Sequence, residues 1–150
     1  GSVYFTSAGN SGNAPDGTSG TWQGDFDNEF SSSAPIPAGF RVHGWGQTGQ
    51  PYNTITRTSA RTDLQWADPM GGSGNDYALV VLNSTGTTIV AASDNIQDGD
   101  DDPLEAVGET FTGERVMVVR RNADANRYLS VYTNRGRLSI GLVGHREATT

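Results

Sequence analysis

The chain has 150 residues, no cysteine and a formal net charge of −7, so it is long enough for one domain with a buried core, and a disulfide framework is excluded. Seventeen acidic residues against ten basic ones repel phosphate backbones and anionic lipids, which excludes nucleic acid and membrane surfaces as expected partners. No run approaches the roughly 20 apolar residues that cross a bilayer.

Short apolar runs separated by Gly, Ser, Asn and Thr predict strands, because none shows sustained 3.6-residue periodicity with helix caps. The predicted strands, in chain order, cover residues 3–8, 22–26, 40–45, 53–66, 77–83, 87–92, 105–111, 115–121, 127–133 and 137–142. Strands of this length and spacing predict an all-β fold, a two-sheet antiparallel β-sandwich or jelly roll, with an extended N-terminal arm.

Turn residues mark two predicted hairpins. Asn-Ser-Thr-Gly at 83–86 separates two apolar runs, and Asn-Arg-Gly at 134–136 separates two more. The run 115–120 is almost continuously apolar, which predicts a central strand covered on both faces of its sheet. Trp66 is in phase with Leu64 on a predicted strand, so we expect Trp66 in the core.

The acidic loop, residues 94–105, comes close to the calcium-loop template with glycine at position 6 and glutamate at position 12. Calcium accepts six to eight hard oxygen ligands in flexible geometry, so the residue types suit it. The candidate calcium ligands are Asp98, Asp100, Asp102 and Glu105. Ile96 fills a ligand position and the flanks are predicted strands, which excludes an EF-hand. A solvated acidic turn is the alternative.

The opening segment, Val-Tyr-Phe-Thr-Ser-Ala-Gly-Asn-Ser-Gly at 3–12, resembles the segment of subtilisin-like serine proteases in which a buried parallel strand runs into Ala-Gly-Asn. In that family the asparagine is the side-chain donor of the oxyanion hole, and the resemblance implies this role for Asn10. Such an amide stabilises the charge of the tetrahedral intermediate, by about 3 to 4 kcal/mol in subtilisin itself.

The resemblance extends along almost the whole chain. Some secreted subtilisin-like proteases carry a β-sandwich insertion after this strand, and residues 62–69, 75–79 and 94–105 are similar to its core. Gly144-His145 is similar to the return into the peptidase core. The resemblance thus implies an arm and linker from the peptidase core at 1–20, an insert domain at 21–143 and a return segment at 144–150.

An insert of this kind implies an accessory function in a secreted, extracellular protease: substrate access, docking or stability. The peptidase core is then its partner, with a protein substrate or a polysaccharide as a further one. Residues 3–8 would be a strand whose ladder partners lie in that core. We therefore expect the arm through about Gly20 to make few contacts with the sandwich.

Catalysis by this chain alone is not expected, because a subtilisin-like site also needs an aspartate, a histidine and a nucleophilic serine in their family contexts. Ser19, in Gly-Thr-Ser, is followed by Gly20 and sits in the linker. His43 lies on an alternating strand edge and is predicted to be a packed or exposed structural side chain. Nothing near His145 suggests a general base.

Two other functions stay open, a carbohydrate-binding module and an extracellular adhesion or interaction sandwich. A coplanar exposed row of Trp22, Trp45 and a tyrosine would favour sugar binding, whereas burial would favour packing. The only concentration of basic residues is predicted to lie on the surface and to pair with the acidic loop. Its members are Arg120, Arg121, Arg127, Arg135 and Arg137.

Overall fold

The computed structural model describes residues 12–27, 29–47 and 49–142, and this part of the chain contains eleven strands and no helix. The strands are β1 (Thr21–Asp25), β2 (Phe30–Ser31), β3 (Phe40–Val42), β4 (Asn53–Arg57), β5 (Thr62–Trp66), β6 (Tyr77–Leu82), β7 (Ile89–Ser93), β8 (Leu104–Val107), β9 (Arg115–Arg121), β10 (Tyr128–Thr133) and β11 (Arg137–Leu138). All strand pairs are antiparallel and form two sheets, which confirms the predicted all-β sandwich. The jelly-roll connectivity stays a prediction. Within the described ranges there is no helical segment long and apolar enough to cross a membrane.

The two sheets differ in size and organisation. Sheet I has four strands in the order β1-β10-β5-β8, and sheet II has seven strands around β9. One edge of β9 pairs with the whole of β6, which in turn pairs with β7. The other edge is shared, because β3 pairs with its C-terminal part and β4 with its N-terminal part. These two strands extend the sheet to β2 and β11.

The main core lies between the sheets and follows from period-two alternation. In β10 the buried residues Leu129 and Val131 alternate with half-buried or exposed ones. Leu64 and Trp66 are buried in the same alternating way in β5. The prediction that Trp66 belongs to the core is confirmed. The buried members of this core are Phe26, Trp45, Ile55, Leu64, Trp66, Tyr77, Leu79, Val81, Val107, Val116, Val118, Leu129, Val131 and Leu138.

A second apolar cluster covers the other face of sheet II. Ile36, from the loop between β2 and β3, packs there with alternate side chains of β6 and β9. All six residues of β6 are therefore buried, as are five of the seven in β9. The predicted central strand at 115–120, covered on both faces, is confirmed.

Two sequence-based expectations about strands are wrong, and one strand was not predicted. The predicted single strand 53–66 is two strands, β4 in sheet II and β5 in sheet I. Between them the Ser59 hydroxyl donates to Arg61 O at 2.6 Å and accepts from Arg61 N at 3.2 Å, which stabilises the turn where the chain changes sheets. The predicted hairpin around 134–136 does not form, because β1 and β5 occupy both edges of β10 and β11 pairs with β4. Two-residue β2 was missed, since it is too short to show alternation.

The expectation of an arm with few contacts is wrong for its described part, residues 12–20. Ser19 is only 2% exposed, and its carbonyl accepts from Leu138 N–H at 2.9 Å. Gly20 O accepts both the backbone N–H and the hydroxyl of Thr133 at 2.8 Å. The linker therefore packs onto the sandwich through its own backbone. The predicted strand 3–8 and the return segment at 144–150 lie outside the described residues.

Candidate functional site

The residues weighed as catalytic do not form a triad in the described part of the chain. Asn10 and His145 lie outside it. The Ser19 hydroxyl donates to Thr21 O at 2.9 Å and accepts from Thr21 N at 3.3 Å, so it stabilises a turn. A buried hydroxyl held in this way has no general base beside it to activate it.

His43 is a buried structural side chain. Its ring is fully shielded from solvent and lies 4.7, 5.0 and 5.5 Å from the rings of Trp22, Trp45 and Phe26. Nδ1 accepts from Asp27 N–H at 3.4 Å, so the proton of the neutral ring is on Nε2, which has no hydrogen-bond partner among the described residues. Burial lowers the pKa of His43 to about 4. The imidazole is therefore neutral at pH 7.

Trp22 and Trp45 do not form the coplanar exposed row that would favour sugar binding. Trp45 is fully buried, and the two rings meet edge to face, with centroids 4.8 Å apart and an angle of 63° between their planes. Trp22 packs against the main core. Both indoles therefore contribute packing instead of a coplanar exposed surface.

The acidic loop divides its carboxylates between two places. Asp98, Asp100 and Asp101 are exposed, and one carboxylate oxygen from each lies within 4.8 Å of the others. A side-chain hydrogen bond between Asp98 and Asp100, together with the charges of Asp98 and Asp101, raises the pKa of Asp100. Asp102, a predicted ligand, is drawn elsewhere, because its Oδ1 accepts from Gly71 N–H at 2.7 Å. Asp101, which was not predicted as a ligand, lies in the cluster where Asp102 was expected.

Glu105, the other predicted ligand, is 1% exposed and points into the sandwich from β8. Its carboxylate accepts from Gln97 Nε2 at 2.7 Å, from Asn95 Nδ2 at 3.2 Å and from the Ser93 hydroxyl. Gln97 Oε1 is buried without a hydrogen-bond partner in the described ranges. Glu105 is thus held by neutral donors, apart from the exposed aspartate cluster.

The expectation that surface arginines pair with the acidic loop is wrong for the described residues. Arg120 is 7% exposed, and the antiparallel register of β6 and β9 places it opposite Tyr77. The observed pairs are Arg120–Glu29 at 2.9 Å, Arg121–Asp76 at 2.6 Å and Arg127–Asp68 at 2.5 Å.

Asp68 joins three parts of the sandwich. Its Oδ2 accepts from Ser73 Oγ at 3.1 Å and Asn75 Nδ2 at 2.8 Å, in addition to the Arg127 pair. Burial alone would raise the pKa of Asp68, but these hydrogen bonds and the Arg127 charge outweigh it and lower the pKa. This network supports a structural role for Asp68, because its carboxylate ties the segment of Ser73 and Asn75 to Arg127.

A basic cavity of about 450 Å³ lies where β4 and β11 meet. Its walls carry Arg57, Arg135 and Arg137, with Tyr132 and Thr18 beside them. Arg135 and Arg137 belong to the concentration of basic residues seen in the sequence. Nothing in the sequence indicated that Arg57, 80 positions before Arg137, lies beside them. The β4–β11 register places these two residues directly opposite each other.

The chain enters and leaves the described sandwich at one place. Ala14 N–H donates to Leu142 O at 2.8 Å, and Leu142 N–H donates to Thr21 O at 2.9 Å. The buried Asn53 side chain holds the outgoing segment, donating to Ile140 O at 2.7 Å and accepting from Ile140 N at 3.0 Å. A scan against models of protein families and searches of curated proteins and of solved structures found no match to this chain.

Proposed function

We propose that the chain is an accessory, non-catalytic β-sandwich domain inserted into a secreted subtilisin-like serine endopeptidase, where it contributes to substrate access, docking or stability. The observation that carries this proposal is the backbone pairing of the incoming segment with the outgoing one at Ala14 and Leu142. A domain whose chain enters and leaves at adjacent points can be placed in a loop of a host without separating the host's own strands.

The chemistry of the described residues supports an accessory role. Ser19 is buried in a turn, and His43 is neutral and enclosed by aromatic rings. On this proposal the nucleophile, base and orienting aspartate lie in the peptidase core, and only Asn10 reaches the active site, as an oxyanion donor. Substrate binding then depends on the core, with the sandwich beside it.

The proposal is tested in two steps. A circular permutant joins Leu142 to Asn13 through about four Gly-Ser residues and opens the chain in the turn at Thr85. It should unfold cooperatively with a melting temperature close to that of the native order, because the joined atoms are already neighbours. A matched permutant joined through the same linker but opened inside β9 should not fold, because β9 is the centre of sheet II.

In the longer protease, replacement of residues 13–142 by the same linker should leave a folded peptidase that still reacts with a serine-directed probe. Asn10→Ala in the intact protease should lower kcat about 100- to 1000-fold with little change in KM. An unchanged kcat would remove Asn10 from the active site, and an intact chain that hydrolyses peptides by itself would contradict the accessory function.

For the acidic loop we propose that a calcium ion, where bound, is held by Asp98, Asp100 and Asp101, not by the full predicted set. Their carboxylates are close enough to share one cation, and calcium tolerates an irregular arrangement of oxygens completed by water. Asp102 and Glu105 already accept hydrogen bonds from groups of the fold.

A further inference from the structure

We infer that the basic cavity binds a carboxylate-rich peptide segment, with the guanidinium groups of Arg57, Arg135 and Arg137 as its ligands. The cavity has a volume of about 450 Å³, and all three arginines line it. Guanidinium groups donate paired N–H bonds in a planar fork that matches the two oxygens of a carboxylate.

The first argument is how the chain distributes its positive charge. Five of the ten basic residues form ion pairs with aspartates or glutamates. Arg115 lies over the Tyr52 ring at 4.3 Å and donates to Thr85 O at 3.2 Å. Arg57, Arg135 and Arg137 have neither an ion pair nor a side-chain hydrogen bond to any described residue. In a protein of net charge −7, the three described arginines that have no such partner line one cavity.

The second argument is that this arrangement is unfavourable without an anion. Arg57 and Arg137 are cross-strand partners on the same face, and like charges directly opposite each other destabilise a sheet. Arg135, two residues away, has φ of 63°, in the left-handed region that disfavours residues with a Cβ. Local arrangements that cost stability concentrate at binding sites. A carboxylate bound between the two guanidinium groups would offset their repulsion.

The position of the cavity favours a peptide over a free ion. Gly12 and Thr18 of the incoming segment line it, so it lies on the side of the sandwich where the chain enters and leaves. On the proposed function the host peptidase continues from this side, so its surface would lie beside these arginines. The choice of a peptide rests on the proposed function, whereas the affinity for a carboxylate does not.

The test uses the full chain and a fluorescein-labelled N-acetyl-hexaglutamate peptide, followed by fluorescence anisotropy. We expect saturable binding in 50 mM NaCl that weakens by about tenfold or more in 200 mM NaCl, since exposed charges are screened. Arg57→Gln and Arg137→Gln should each weaken binding by about tenfold, and Arg137→Lys by less, because it keeps the charge but loses the fork. Arg41→Gln, which removes a half-buried strand arginine on β3 outside the cavity, is the control and should bind as the native chain does.

Stability provides an independent readout. Arg57→Gln should raise the melting temperature of the free chain by about 1 to 3 °C, because it relieves the repulsion from Arg137. A lower melting temperature would assign Arg57 a structural role and overturn the inference. It would also be overturned by undetectable binding in 50 mM NaCl, or if Arg41→Gln weakened binding as much as the cavity variants do.

Tighter binding of oligogalacturonate than of the peptide, lost in Tyr132→Ala, would identify an acidic glycan as the ligand instead of a peptide. These outcomes are separate from the permutant test, which does not involve the cavity.

Discussion

Acid should destabilise the sandwich through His43, and removal of this one side chain should change the pH dependence of folding. The perturbation is His43→Phe, which keeps an aromatic ring among Trp22, Phe26 and Trp45 but cannot be protonated. Phenylalanine also has no buried N–H comparable to the unpartnered His43 Nε2. The variant loses the acceptor for Asp27 N–H, which is a cost that does not depend on pH.

The magnitude follows from the two pKa values of His43. Burial lowers the pKa to about 4 in the folded chain, against 6.5 for an exposed histidine. The unfolded chain therefore binds the proton more tightly, so stability is fully present above pH 6.5 and falls as the pH decreases towards 4. The interval of 2.5 units corresponds to a loss of about 3 kcal/mol, with a slope of at most about 1.4 kcal/mol per pH unit.

Urea unfolding at pH 7.0, 6.0, 5.0 and 4.5, followed by tryptophan fluorescence, measures this difference. Carboxylates such as Asp68 also lose stability in acid, but they contribute equally to both proteins and cancel in the comparison. The native chain should lose about 2 to 3 kcal/mol more than His43→Phe between pH 7.0 and 4.5. His145→Gln removes the only other histidine and is the control. The reasoning would be refuted if the free energy of unfolding fell equally with pH in the native chain and in His43→Phe. It would also be refuted if His145→Gln removed the pH dependence.

Three further predictions concern the outgoing segment, the acidic loop and catalysis. Asn53→Ala should lower the free energy of unfolding by about 2 to 4 kcal/mol in urea titrations, because the buried amide makes three hydrogen bonds to residues 139–140. The control is Asn122→Ala, at an exposed position, which should change the free energy of unfolding little. Calcium should raise the melting temperature by about 3 to 6 °C for each tenfold excess over its dissociation constant, and magnesium by less. The effect should vanish when Asp98, Asp100 and Asp101 are all replaced by Asn but survive in Glu105→Gln; identical melting curves in calcium and in chelator would exclude the site. A fluorophosphonate probe should leave the isolated chain unlabelled in mass spectrometry, since the Ser19 hydroxyl is buried and held by Thr21, and specific labelling of Ser19 would contradict the accessory function.

Local pattern was sufficient for most of the architecture. Alternation in β5 placed Trp66 in the core together with Leu64, because successive side chains of a strand point to opposite faces. The continuous apolar run in β9 predicted burial on both faces for the same reason. These properties depend on neighbours in sequence, so the sequence by itself determined them.

Strand pairing was decided only by the tertiary structure. Period two shows that residues 53–66 are extended and amphipathic, but it does not say in which sheet each part lies, and the turn at Ser59 moves the chain from sheet II to sheet I. The same holds for the acidic loop, where the inward direction of β8 buries Glu105 while Asp101 joins the exposed cluster.

The basic cavity is the clearest case of this difference. Both edges of β10 in sheet I are already paired, with β1 and β5. After β10 the chain therefore leaves sheet I, and β11 pairs with β4 at the edge of sheet II, which makes Arg57 and Arg137 neighbours. That choice depends on which backbone donors and acceptors remain unpaired once the central strands have assembled. Since no local window of sequence contains this information, the amino-acid pattern determined the strands and their faces, and the competition for sheet edges determined which charged side chains meet.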